Sequence, residues 1–213
     1  MTFTSFETIL YQHLTPFFER QGFVLLPDKK QYRRTTSTGF QTVMLLFGLY
    51  NDETILDVTL GCRSEQIEQI AQQFLRNQVM SHQDAITLTV SINQFSDFQF
   101  VRFRIHNGEE LVDACWKIEQ FFQTSGFAFL TSSCTLPVLD RLLNENPAHP
   151  CRYVYNQLHR YYKGLIAAHL TRNAQFNNLI ERYRNLLGKQ TQNPYEQIQF
   201  ERLIAYLHHY YPN

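Results

Sequence analysis

Several things are scarce in this sequence, and each scarcity closes off a class of protein. Glycine comes to 8 of 213 residues, and the chain contains no GxGxxG and no GxxxxGKS or GxxxxGKT. Loops that cradle a phosphate need closely spaced glycines so that backbone amides can approach it, so no familiar nucleotide site is expected. GxSxG and HExxH are missing as well, which removes the common hydrolase and zinc-protease signatures. Long apolar runs are absent: the longest, Val43–Tyr50, has eight residues including Gly48, whereas a membrane-spanning helix needs roughly 20. Paired cysteines are absent too. Cys62, Cys115, Cys134 and Cys151 form no CxxC, and none has a histidine at zinc-finger spacing, so neither a metal nor another cofactor is expected. The neighbouring His208 and His209 point about 100° apart on a helix and do not chelate one ion. Finally, there is no surplus of charge: 19 basic and 19 acidic residues balance, and overall basicity offers no argument for nucleic acid or membrane.

The N-terminus, Met-Thr-Phe-Thr-Ser-Phe-Glu, shows neither the basic segment nor the apolar stretch of a secretory leader. With a chain long enough for a substantial core, reduced thiols and a cytoplasmic location are the expectation.

What is abundant is aromatic: 18 Phe, 12 Tyr and one Trp, enough to fill a large interior. Phe6, Ile9, Leu10, Leu14, Phe17 and Phe18 recur at three- and four-residue steps and predict a first helix, with Thr4 and Glu7 as a capping box. Gly22 ends it in the left-handed conformation and Phe23 supplies the apolar contact that follows. Turn signals at Pro27-Asp28, Gly39 and Asn51-Asp52 then separate β-rich runs. Phe40–Tyr50 and Glu53–Cys62 read as a hairpin, its first strand either covered on both faces or long and twisted. A second helix starts at Ser64. Strands are expected over Ile86–Ile92 and Phe98–Ile105, and a third helix, capped by Asn107 and Glu110, runs until Gly126.

One decapeptide pattern occurs twice. Phe17–Leu26 and Phe121–Leu130 both read FFxxxGFxxL. Either two helices solve one C-cap problem alike, or a helix–sheet unit is duplicated. After Ser133 the pattern becomes helical throughout, with Pro147 and Pro150 bracketing a break and helices near 151–172, 175–187 and 195–211. The expected architecture is α+β: a mainly antiparallel sheet packed by helices over 1–133, then an all-helical extension over 134–213.

Charge divides along the same line. Residues 1–150 hold 11 basic and 16 acidic side chains, and 151–213 hold 8 and 3. The stretch 151–172 mixes Arg152, Arg160 and Lys163 with Tyr153, Tyr155, Tyr161 and Tyr162. Cations beside stacking rings suit single-stranded RNA or DNA. The alternative is that this basic helix docks on the acidic body. Cys151, after Pro150 and beside Arg152, is the candidate reactive thiol, because a helix N-terminus and a cation both stabilise a thiolate. Arg33, Arg102 and Arg104 lie on predicted strands and could grip a small anion if the sheet brings them together.

The opening helix, Gly22-Phe23, Tyr32-Arg33-Arg34, Phe40-Gln41 and Leu60-Gly61-Cys62-Arg63 together resemble a family of uncharacterised bacterial domains. The resemblance covers residues 5–75 and implies a bacterial, cytosolic α+β protein with no assigned reaction. Since no catalytic set assembles in the sequence, the functional expectation is a non-enzymatic protein that binds another protein or itself. Nucleic-acid binding through 151–172, or a small anion held by Arg102 and Arg104, are the alternatives.

Overall fold

The computed structural model describes residues 5–51, 53–75, 82–95 and 102–210. Its sheet has six strands: β1 (Val24–Leu26), β2 (Gln31–Thr36), β3 (Gly39–Tyr50), β4 (Glu53–Ser64), β5 (Leu88–Ser91) and β6 (Phe103–Ile105). They lie in the order β1-β2-β3-β4-β5, with β6 also paired to β4. The pairings of β1 with β2, β2 with β3 and β4 with β6 are antiparallel. The helices are α1 (Ser5–Glu19), α2 (Glu65–Ala71), α3 (Gly108–Phe121), α4 (Phe127–Ser133), α5 (Leu136–Asn144), α6 (Gln157–Leu170), α7 (Phe176–Gln190) and α8 (Pro194–His209). The α+β architecture with C-terminal helices is as the sequence leads one to expect. The proposed cap at Thr4 and the first half of the strand expected over Phe98–Ile105 fall outside the described residues.

The chain divides into two compact units. Met1–Cys62 with Val90–Ser132 form one, and Arg63–Thr89 with Ser133–Asn213 form the other. The segment 63–89, expected within the α+β body, thus groups with the C-terminal helices. Chemistry explains the grouping: Glu68 and Thr87 find their polar partners in α6 and in each other.

In the first unit α1 ends as predicted. Gly22 has φ +78°, the Gly22 amide donates to Glu19 at 2.9 Å and the Phe23 amide to Phe18 at 3.1 Å. That double bond pattern is the Schellman motif, and its apolar contact is the edge-on Phe18–Phe23 pair at 5.9 Å. The second FFxxxGFxxL copy behaves otherwise. Gly126 does not end the helix: Phe122–Gly126 form a π turn that carries α3 straight into α4. A Cβ on Gly126 would lie 2.6 Å from Phe122 Cδ1, so the glycine is there for space, not for a left-handed backbone. No strand follows this copy, and the repeat is therefore neither a shared C-cap nor a duplicated helix–sheet unit.

The two copies instead pack on one another. Phe17 stacks on Phe127 at 5.6 Å, and Phe18 meets Phe122 edge-on at 5.0 Å. Phe23 lies 6.0 Å from Phe127, and Phe18 stacks on Tyr32 at 4.5 Å. Each such pair contributes about 0.5–1.5 kcal/mol beyond the area it buries. Asn107 caps α3 by accepting from the Glu110 amide at 2.9 Å. Glu110 reaches back one residue further than a capping box requires, to the His106 amide at 2.8 Å.

In the second unit, α6 starts at Gln157 and not at Cys151. Asn156 is its cap, accepting from the Leu158 amide at 3.0 Å. The Gln157 side chain ties the preceding loop together, accepting from the Cys151 amide at 2.8 Å and donating to the Val154 carbonyl at 2.7 Å. Tyr155, expected within that helix, is fully exposed in this loop.

Candidate functional site

The cationic residues of 151–172 part company once the chain folds. Arg160 is 2% exposed and Lys163 4%. Arg160 projects at the end of α5, donating to the carbonyls of Leu143 at 2.9 Å, Asn146 at 2.9 Å and His149 at 2.5 Å. A cation at a helix C-terminus satisfies carbonyls that have no partner within the helix. Its guanidinium is occupied in joining α5 to the loop before α6. Lys163 pairs with Glu68 at 2.9 Å and donates to the Ile86 carbonyl at 2.7 Å. Glu68 also accepts from Gln72 at 2.7 Å and Thr87 at 2.8 Å. Burial alone would raise the Glu68 carboxyl, but the Lys163 charge and three hydrogen bonds hold it below the ordinary carboxylate range.

Arg152 and Tyr153 remain near the surface, the guanidinium 4.9 Å from the ring centre and bonded to the phenol oxygen at 2.7 Å. Two of the four residues expected to contact nucleic acid are thus interior braces, which leaves no basic helical face at 157–170.

Cys151 shares a pocket of about 490 Å3 with Leu142, Glu145, Arg152, Tyr153 and Arg160. The helix terminus invoked for its activation is not there, since α6 begins six residues later. Its thiol is buried and donates to the Leu142 carbonyl at 3.4 Å. Burial pushes the thiol above its usual value, although Arg160 and Arg152 pull the other way. The neutral thiol is the form present near pH 7, and no histidine lines the pocket. Cys115 is more extreme, with burial raising it to about 12.

The strand arginines converge only in part. Arg102 and Arg104 line one pocket of about 370 Å3 with Ile55, Asp57 and Ser91. Ser91 donates to Asp57 at 2.8 Å, and Arg104 lies 3.6 Å from Glu53, so carboxylates face these cations. Arg33 is elsewhere in the sheet. It sits opposite Thr42 near the start of β3, whereas Arg104 sits opposite Ile55, next to the hairpin turn at the far end of β3. At about 3.3 Å per residue the two are separated by roughly 20 Å. The Arg33 guanidinium lies 3.9 Å over the Phe40 ring instead. Cys151 and the Arg102–Arg104 pair belong to different units. Among the described residues no three His, Cys, Asp or Glu side chains gather as metal ligands.

What the sequence reading did not single out is the outer half of β3. Its first half is buried, with Val43 and Leu45 inaccessible and Thr42 bonded to Gln31 at 2.9 Å. Pairing with β2 covers Gly39–Met44. Beyond that, Leu46 is 52% exposed, Leu49 75% and Tyr50 62%. Phe47 between them is half-buried against Phe6 at 5.4 Å, with the Lys30 ammonium 4.1 Å over its ring. The signal was present as the eight-residue apolar run, but periodicity cannot tell a strand covered on both faces from one left bare at its end. On α3, the single tryptophan, Trp116, and Val112 one turn before it are exposed too.

Compared with protein-family models, curated proteins and solved structures, the chain matches none. No helix among the described residues is long and apolar enough to cross a membrane.

Proposed function

We propose that this is a non-enzymatic protein that acts by binding another polypeptide, in the cytoplasm of a bacterial cell. The observation that carries the reading is the bare apolar end of β3, where Leu46, Leu49 and Tyr50 are more than half exposed. Large apolar side chains grouped on a surface cost solvation free energy unless something covers them part of the time. The polar groups that looked chemical in the sequence support the same reading from the other side. Arg160, Lys163 and Glu68 are spent on internal contacts, and Cys151 is a buried thiol with no histidine in its pocket.

A photo-reactive residue placed at Leu49 tests this directly in cells, with one at the exposed Glu145 as control. The expected result is a covalent adduct to a protein at Leu49 and none at Glu145. No protein adduct at Leu49 contradicts the reading.

A second reading is favoured by one observation, the shared pocket of Arg102 and Arg104. There the ligand would be a small dianion held between the two guanidinium groups. Calorimetric titration with inorganic phosphate, repeated on Arg104→Ala, checks it: heat that disappears with the arginine supports it, and no heat from the unaltered chain removes it.

A further inference from the structure

The end of β3 offers a backbone as well as side chains. The last bond from the β2 side reaches Leu45, whose amide donates to the Lys30 carbonyl at 2.9 Å. Successive peptide units of a strand point to opposite edges. Leu45 faces Lys30, so the amides and carbonyls of Phe47 and Leu49 face that same edge, while those of Leu46, Gly48 and Tyr50 face β4. Past Leu45 no strand adjoins this edge among the described residues. Sheets ordinarily blunt such an edge with lysine, proline or a bulge. Leu46-Phe47-Gly48-Leu49-Tyr50 contains no charged residue and no proline.

We infer that this edge pairs antiparallel with the same segment of a second copy of the chain, about a two-fold axis at Gly48. The inference rests on the protein-binding reading above and names the partner. Centred on its middle residue, the segment is complementary to itself. Phe47 falls opposite Leu49 of the second copy, and Leu49 opposite its Phe47. All four residues carry outward-facing peptide groups, so the two pairs exchange four hydrogen bonds. Gly48 meets its counterpart at the narrow, unbonded position between them, where the absence of a side chain lets the backbones close. Leu46 lies opposite Tyr50, the two most apolar members of the other face. The Tyr50 ring already leans over Gly48, since a Cβ there would come within 3.3 Å of its Cε2, and it covers the gap that the glycine leaves. The segment carries no charge, and the ammonium beside it, Lys30 over the Phe47 ring, is paired with Glu7 at 3.2 Å, so like charges do not oppose the pairing. An isologous contact of this kind closes as a dimer and does not propagate.

Sedimentation equilibrium over a concentration series tests the pairing, using the full chain, Leu49→Pro and Leu49→Lys. Proline at 49 removes an amide that faces only the open edge, so pairing with β4 is kept. Lysine at 49 leaves the backbone intact and adds a charge at the contact, which covers the case in which the proline variant fails to fold. The expected result is a mass that rises toward twice that of the chain, with a dissociation constant weakened at least roughly tenfold in a folded variant. A monomer throughout the series, or a dimer that Leu49→Lys does not weaken, overturns the inference. If the unaltered chain is monomeric while the photo-reactive residue at Leu49 captures a different protein, self-pairing fails and the binding reading stands. A monomer with no adduct removes both.

Discussion

Lys163 and Arg160 show how far a residue's role can lie from its appearance. In the sequence both belong to a basic, tyrosine-rich stretch that looks solvent-facing. In the fold every residue from Arg160 to Ala168 is buried, so α6 is surrounded on all sides, and the cations sit where a helical wheel would place solvent. Nothing local announces this, because the partner of Lys163 lies 95 positions away at Glu68, which reads simply as an acid favouring a helix start. Removing one member of a buried pair strands the other: Lys163→Met should cost about 3–5 kcal/mol in chemical denaturation, and adding Glu68→Gln should recover part of that. The pH dependence follows from the direction of the Glu68 shift. Its folded-state value lies below the unfolded one. The stability it contributes is therefore complete above the ordinary carboxylate range and lost as pH falls through the folded value. Thermal melts between neutral and acid pH should show a shallower acid slope for Glu68→Gln, and an unchanged slope would contradict the assignment. Thiol labelling separates the cysteines in the same way. Cys134 is half-buried while Cys62, Cys115 and Cys151 are buried, so alkylation of the native protein should reach Cys134 first and Cys151 no faster than an ordinary buried thiol.

At the scale of elements, the regular periodicities are legible in the sequence, as is Gly22, whereas Gly126 is not. Helices α1, α5, α7 and α8 and the β3–β4 hairpin follow from spacing, caps and turn residues. The start of α6 is not legible in the sequence, because Pro150 resembles a first-turn proline while the operative cap is Asn156, backed by the Gln157 side chain. Gly22 and Gly126 sit in the same ten-residue pattern, yet one permits a left-handed backbone and the other a close approach of rings. They should therefore fail differently. Asparagine tolerates the left-handed region better than alanine, so Gly22→Asn should be less destabilising than Gly22→Ala, the latter costing about 1 kcal/mol. At Gly126 the order reverses, because any Cβ meets Phe121 at 2.9 Å and Phe122 closer still. There Gly126→Ala should cost about 1–3 kcal/mol and Gly126→Asn more. Equal losses at the two sites would remove the distinction.

For the whole molecule, the even balance of charge conceals two units with different uses for their polar groups. The unit containing α6 turns three charged side chains inward, the Glu68–Lys163 pair and Arg160 at the end of α5. The unit containing the hairpin keeps an apolar strand end outside. That strand end could not be recognised from the chain alone, since Val43–Tyr50 is apolar from start to finish and only the length of β2 decides which half is covered. Binding of a polypeptide requires that the outward edge at Phe47 and Leu49 be open in the lone chain and closed in the complex. Residue-resolved amide hydrogen exchange reads it most directly. In dilute protein the amides of Phe47 and Leu49 should exchange quickly while those of Leu46, Gly48 and Tyr50, which face β4, exchange slowly. As the concentration rises, the first two should become protected as well. Fast exchange at Phe47 and Leu49 at every concentration would contradict pairing with a second copy, and protection already complete in the isolated monomer would contradict the open edge itself.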